Sequence, residues 1–191
     1  MEFKKYLSLN LITTIRQRLA RKNLLENHNS LIRNRKAFNL DTARYVGILY
    51  HLEDENTYKI IEDFLKALTD YNLKTKVACI TDLKIIPHYF IPKLSQDILT
   101  AKDVNWKFQP VKPFVKDFLD EEFDILIDLS LTEHLPLLHL ASNSKANMKI
   151  GKYDETHQLY YDLMIELPAD ASLEYFIKQV IFYLSKINTD S

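Results

Sequence analysis

Two kinds of apolar pattern alternate along this chain, and the alternation predicts a fold class. The stretches RYVGILY (44–50), KTKVACIT (74–81) and FDILIDL (123–129) are apolar on both faces and rich in β-branched and aromatic residues, as strands covered by helices on either side are. Between the first two, Tyr58, Ile61, Phe64, Leu65, Leu68 and Tyr71 return at helical spacing, and HLEDEN ahead of them supplies first-turn acids and an Asn cap. Strand, helix, strand at this length is a βαβ unit, whose right-handed crossover lays the strands parallel. Residues 82–103, interrupted by Pro87 and Pro92, have no clean period and read as an irregular excursion with one short helix. Beyond them, VNWKFQ predicts a third, short strand, PFVKDFLDE a helix and FDILIDL the fourth strand. A helix over Leu135 to Ala146 follows, then strands in NMKIGK and YYDLMIEL, and Leu173, Phe176, Ile177, Val180, Ile181, Leu184 and Ile187 mark a last amphipathic helix.

Such alternation predicts an α/β protein: a three-layer, Rossmann-like sandwich with a mostly parallel sheet of about five to six strands. We assign it to residues 41–191. Residues 1–40 form an arm in which Phe3, Leu7, Leu11, Ile15 and Leu19 recur every fourth position and Arg16, Arg18, Arg21 and Lys22 lie mainly off that stripe, the pattern of a basic amphipathic helix. A second helical stretch is expected over Leu24 to Lys36.

Charge sharpens the division. Residues 1–36 carry nine Lys and Arg against two Glu, whereas the remainder carries sixteen basic and twenty-four acidic residues, so a net charge of -1 conceals a basic arm on an acidic body. The 47% hydrophobic and 27% charged fractions are those of ordinary globular proteins, and no apolar run approaches the roughly 18 residues of a membrane span. Arginines interrupt what would be the apolar core of a leader. The single cysteine, Cys79, has no partner and sits in an apolar run, which predicts a buried structural thiol and a cytoplasmic protein.

Candidate chemistry belongs at the carboxyl ends of the strands, where open parallel sheets bind ligands at the reversal of winding. If the first and fourth strands are neighbours there, His51 to Asn56 faces Asp128 to His134, and the candidate edge site comprises His51, Glu53, Asp54, Asp128, Ser130, Glu133 and His134. Phosphate cradles need glycine-rich turns, but the two glycines, Gly47 and Gly151, fall inside predicted strands, which argues against a dinucleotide site or P-loop. The acids Glu53, Asp54, Asp82, Asp128 and Glu133 could converge on a divalent cation, yet helix starts collect acids without one. Ser130 and Glu133 fit a capping box, and leucines flank Ser130 where a serine nucleophile would need glycines. No two of the six histidines have the spacing that puts a pair on one helix face. No catalytic residue, metal or cofactor is assigned on this basis.

The segments DVNWKF, EEFDILIDLS, PLLHLASNSKANMKIGKY, YDLMIEL and FIKQVIFYLSKIN resemble an uncharacterised family of short bacterial proteins, over roughly Ala43 to Asn188. That resemblance implies no activity. The order FDILIDLS, apolar helix, SKANMKIG is also similar to the N-terminal half-domain of heptosyltransferase-like glycosyltransferases, although His51 to Asn56 replaces their glycine-bearing loop, and fold analogy alone does not assign function.

The expected function is that of a non-enzymatic binding or adaptor module whose arm, through Lys4, Lys5, Arg16, Arg18, Arg21 and Lys22, contacts a protein, an anionic membrane surface or nucleic acid. A homo-oligomer is compatible with this. The alternative is a small enzyme or ligand-binding protein, degenerate glycosyltransferase-like or metal-assisted, that works at the edge site.

Overall fold

Strands that are apolar on both faces need helices above and below them, and a computed structural model of the chain has that arrangement. It describes the backbone of residues 2–189 and the side chains of residues 12–26 and 31–189. The elements are helix α1 (Glu2–Ser30), strand β1 (Tyr45–His51), helix α2 (Glu55–Asp70), strands β2 (Lys74–Ile80) and β3 (Gln96–Leu99), helix α3 (Phe114–Asp120), strand β4 (Ile125–Asp128), helix α4 (Leu135–Asn143), strands β5 (Met148–Lys152) and β6 (Leu163–Ile165), and helix α5 (Leu173–Leu184). All six strands are parallel, in the order β3-β2-β1-β4-β5-β6. Winding runs outward from β1 to β3 and then returns to β4 on the other side of β1.

Alternate residues of each strand feed two cores. Val46, Ile48, Tyr50, Ile125 and Ile127 pack under α2 and α5, while Leu49, Ala78 and Leu126 pack under α3 and α4. Phe38 and Leu40, ahead of β1, are buried in the first of these cores. Cys79 is buried in β2, and burial pushes its thiol up to about 12, which leaves it inert.

The third strand lies at Gln96–Leu99 and not in VNWKFQ. VNWKFQ folds as a turn in which Asn105 Oδ1 accepts from the backbone N–H groups of Lys107 and Gln109 and Phe108 takes a positive φ of 59°. Two further corrections concern helix starts. Asp54, not an Asn, caps α2, its carboxylate accepting from the Thr57 N–H at 2.7 Å. The Ser130/Glu133 capping box does not form: α4 begins after His134 with Pro136 in its first turn, and both polar side chains are directed elsewhere.

α1 is one helix that runs through Leu24 to Ser30, so no separate helix spans Leu24 to Lys36. It lies on the outer side of α4, where Ala20 and Leu24 bury against Leu135, Leu138 and Tyr160. Among the described side chains, the expected stripe is not the buried face. Ile15 and Leu19 are exposed, and Phe3, Leu7, Leu11 and His28 lie outside the described side chains.

His139 of α4 has an Nδ1 buried without a hydrogen-bond partner, and burial pushes its imidazole down to about 4. The sign follows from linkage: below an unfolded-state value near 6.5 the unfolded chain binds a proton that the folded chain refuses. Stability should therefore decline as pH falls from 6.5 towards 4, by up to about 3 kcal/mol from this group. Urea unfolding of the parent and of His139→Leu at pH 7 and pH 4.5 checks this. An equal pH dependence in both proteins would remove His139 from the account.

Candidate functional site

The reversal of winding falls between β1 and β4, with Leu49 paired to Asp128, so the ends of these two strands splay around a crevice at the carboxyl edge. Both segments expected there are present. His51, the last residue of β1, stacks on His134, which ends the loop after β4; the ring centroids are 3.8 Å apart and the planes 26° from parallel. Asp82, from the loop after β2, places Oδ2 3.1 Å from His51 Nε2, and Glu53 Oε1 lies 3.4 Å from His51 Nδ1. Neither contact has hydrogen-bond geometry, so both buried ring nitrogens lack a proper partner although two carboxylates stand at ion-pair distance. His134 Nε2 is 3.2 Å from the Thr132 hydroxyl, and burial first, then the neighbouring His51, holds its imidazole below the usual histidine range.

Deeper in the crevice, Asp128 is buried. Its Oδ2 accepts from the Tyr161 hydroxyl at 2.6 Å and its Oδ1 from the Ser130 backbone N–H at 3.0 Å. Burial and the adjoining Asp128 carboxylate keep the Tyr161 phenol protonated far above its ordinary range. The Tyr161 ring can lie there because β5 offers no side chain beneath it: a Cβ on Gly151 would stand 2.7 Å from the ring. Lys152 Nζ donates to the Leu131 carbonyl at 2.7 Å and fastens the loop. Ser130 Oγ is buried without a partner.

Glu133 lines the same crevice, but its carboxylate is already engaged. Arg21 of α1 bonds its Oε1 at 2.6 Å and His157 Nε2 meets its Oε2 at 2.9 Å; these two contacts, that of His157 first, draw the carboxyl down to about 2. Arg16 Nε donates to the Trp106 carbonyl at 2.7 Å, and its guanidinium lies over the Phe108 ring. Two of the six basic residues expected to meet a partner are therefore bound to the body. Arg18 and Lys22 are exposed, Lys22 beside Glu26 at 3.8 Å, and Lys4 and Lys5 lie outside the described side chains.

His134 lines two cavities, one of about 110 Å³ that runs past Asp128, Ser130 and Tyr161 and one of about 280 Å³ that runs past Asp82 and α1, and a third of about 230 Å³ runs past His51 and Glu53. The expected site residues all line these cavities, Asp128, Ser130, Glu133 and His134 together in the smallest and His51, Glu53 and Asp54 in that of about 230 Å³, although Asp54 also caps α2 and Glu133 also holds α1. Tyr161, Lys152 and His157 were not singled out in the sequence, because they arrive from β5 and the loop after it, which carry no motif.

No curated protein matches this chain significantly, glycosyltransferases included. Residues 16–187 match a family of unknown function (DUF6913), and the chain belongs to that family.

Proposed function

We propose that this member of the DUF6913 family is a binding protein whose ligand occupies the carboxyl-edge crevice between β1 and β4, with α1 as one of its walls. The observation that carries this reading is the set of buried polar atoms converging there without a hydrogen-bond partner: both ring nitrogens of His51 and the Ser130 hydroxyl. Buried polar groups are nearly always satisfied, and a cluster left open at a switch point is what a ligand completes. Glu53 and Asp82 put carboxylates on the rim and Asp128 puts a third deeper in, while the ammonium of Lys152 is engaged by a carbonyl, so the crevice suits a ligand with a positive centre. Binding is favoured over hydrolysis because no described base contacts the Ser130 hydroxyl.

A thermal-shift screen of small cationic and polar compounds, run in chelator, tests the proposal. Compounds that stabilise the parent should lose most of their effect on Ser130→Leu, which fills the crevice, and on Asp128→Asn. Shifts that persist undiminished in both variants would place the ligand elsewhere. The second reading, an adaptor, rests on the outer face of α1, where Ile12, Ile15 and Leu19 are exposed alongside Arg18 and Lys22. Under it, Arg18→Glu with Lys22→Glu abolishes salt-sensitive pull-down of a partner and leaves compound binding intact.

A further inference from the structure

We infer that His51, Asp82 and His134 form a site for a divalent first-row transition ion. Their ligand atoms lie within 4.8 Å of one another, one residue from each of three separate loops or strand ends at the carboxyl edge. This rests on the reading of the crevice as a binding site and names what the buried nitrogens of His51 await. Two imidazoles and one carboxylate are the donors of zinc-like ions, whereas magnesium and calcium take oxygen.

Ligand atoms about 2.0–2.1 Å from a tetrahedral ion sit roughly 3.3 Å apart, so separations of up to 4.8 Å must shrink by as much as about 1.5 Å. Asp82 can supply most of that movement, since its side chain is 80% exposed and free to turn. The stacked rings must also open, because two ring nitrogens sharing one ion aim at a common point. Glu53 stands 3.4 Å from His51 Nδ1 and Asp82 3.1 Å from Nε2, so a small turn of Glu53 would let an outer carboxylate hold the Nδ1 proton and leave Nε2 for the metal. With three protein donors and an exposed side at Asp82, a position stays open to water or to a second ligand from the crevice.

The test titrates metal-free, untagged full-length protein with Zn²⁺ by calorimetry and with Co²⁺ by visible absorption. One equivalent should bind. His51→Gln and His134→Gln should each weaken zinc by at least about 100-fold and remove the Co²⁺ absorption band, and Glu53→Gln should weaken it about 10-fold as an outer partner. Asp82→Asn should fall between. Thermal melts of the zinc-free variants show that each is folded, and His157→Gln, at the neighbouring Glu133 cluster, should bind as the parent does. The inference is overturned if the parent takes up no stoichiometric ion, if zinc affinity is indifferent to all three ligand substitutions, or if His157→Gln is the variant that loses it. Because the compound screen is run in chelator, stabilising compounds that survive such a result would leave the crevice standing as a site and remove the metal alone.

Discussion

Arg33→Met should lower the free energy of unfolding by about 3–5 kcal/mol, the cost of stripping one partner from a buried ion pair. The Arg33 side chain is 3% exposed and meets Asp162 through two parallel contacts of 2.6 and 2.7 Å, while its Nη1 also donates to the carbonyls of Ala146 and Asn147. Without it, Asp162 keeps only the Lys149 backbone N–H at 2.8 Å and a distant Arg35 at 3.7 Å. The Ala146 carbonyl loses this donor as well, whereas that of Asn147 keeps the Lys36 N–H at 3.3 Å. Urea denaturation supplies the measurement, and a loss below about 1 kcal/mol would show that the pair is solvated in practice. The double variant Arg33→Met with Asp162→Leu should recover much of the loss, since the penalty lies in the abandoned charge more than in the pair itself.

Phe123→Ala should cost a similar 3–5 kcal/mol. Phe123 is fully buried, with its ring 4.8 Å from that of Tyr45 and 5.0 Å from that of Phe118. It lies against Gly47 of β1, where an added Cβ would stand 3.0 Å from its ring and 2.7 Å from Leu126 Cδ1. A glycine cannot lean into the space that the ring vacates, so the cavity should collapse poorly and the cost should fall towards the upper end. The same geometry gives a coupled expectation: Gly47→Ala alone overpacks the core at about 1–3 kcal/mol, but in the Phe123→Ala background it should be close to neutral or favourable. Equal penalties for Gly47→Ala in both backgrounds would contradict this packing account.

The strands at Tyr45–His51, Lys74–Ile80 and Ile125–Asp128 were legible because burial on both faces demands continuous apolar residues, and runs this short and rich in β-branched and aromatic residues suit strands better than buried helices. The strand at Gln96–Leu99 was hidden because its inward polar residue is anchored at long range: Gln96 Nε2 bonds Glu62 of α2 at 2.7 Å, a partner that sequence neighbours do not announce. VNWKFQ misled for the complementary reason, since its aromatic alternation is that of a strand while Asn105 binds the local backbone into a turn. In α1, spacing drew attention to Ile15 and Leu19, yet the docked face is made by Ala20 and Leu24 with arginines beside them, and small or charged residues carry little periodic signal.

The candidate site was legible in its location and less so in its membership. His51 and His134 are 83 residues apart, and only the adjacency of β1 and β4 joins them. Asp82 had been considered among several acids, and what separates it from Asp54 is that Thr57 occupies one and His51 faces the other.

The docking of α1 on α4 also sets an order of events during synthesis. Leu24 leaves the ribosome more than one hundred residues before Leu138, the leucine it packs against. At translation rates of about 5–20 residues per second, that face of the nascent helix has no docking surface of its own for something on the order of ten seconds. Whatever shields it in that interval, a chaperone or transient burial on the growing chain, acts before the Arg21 to Glu133 contact exists.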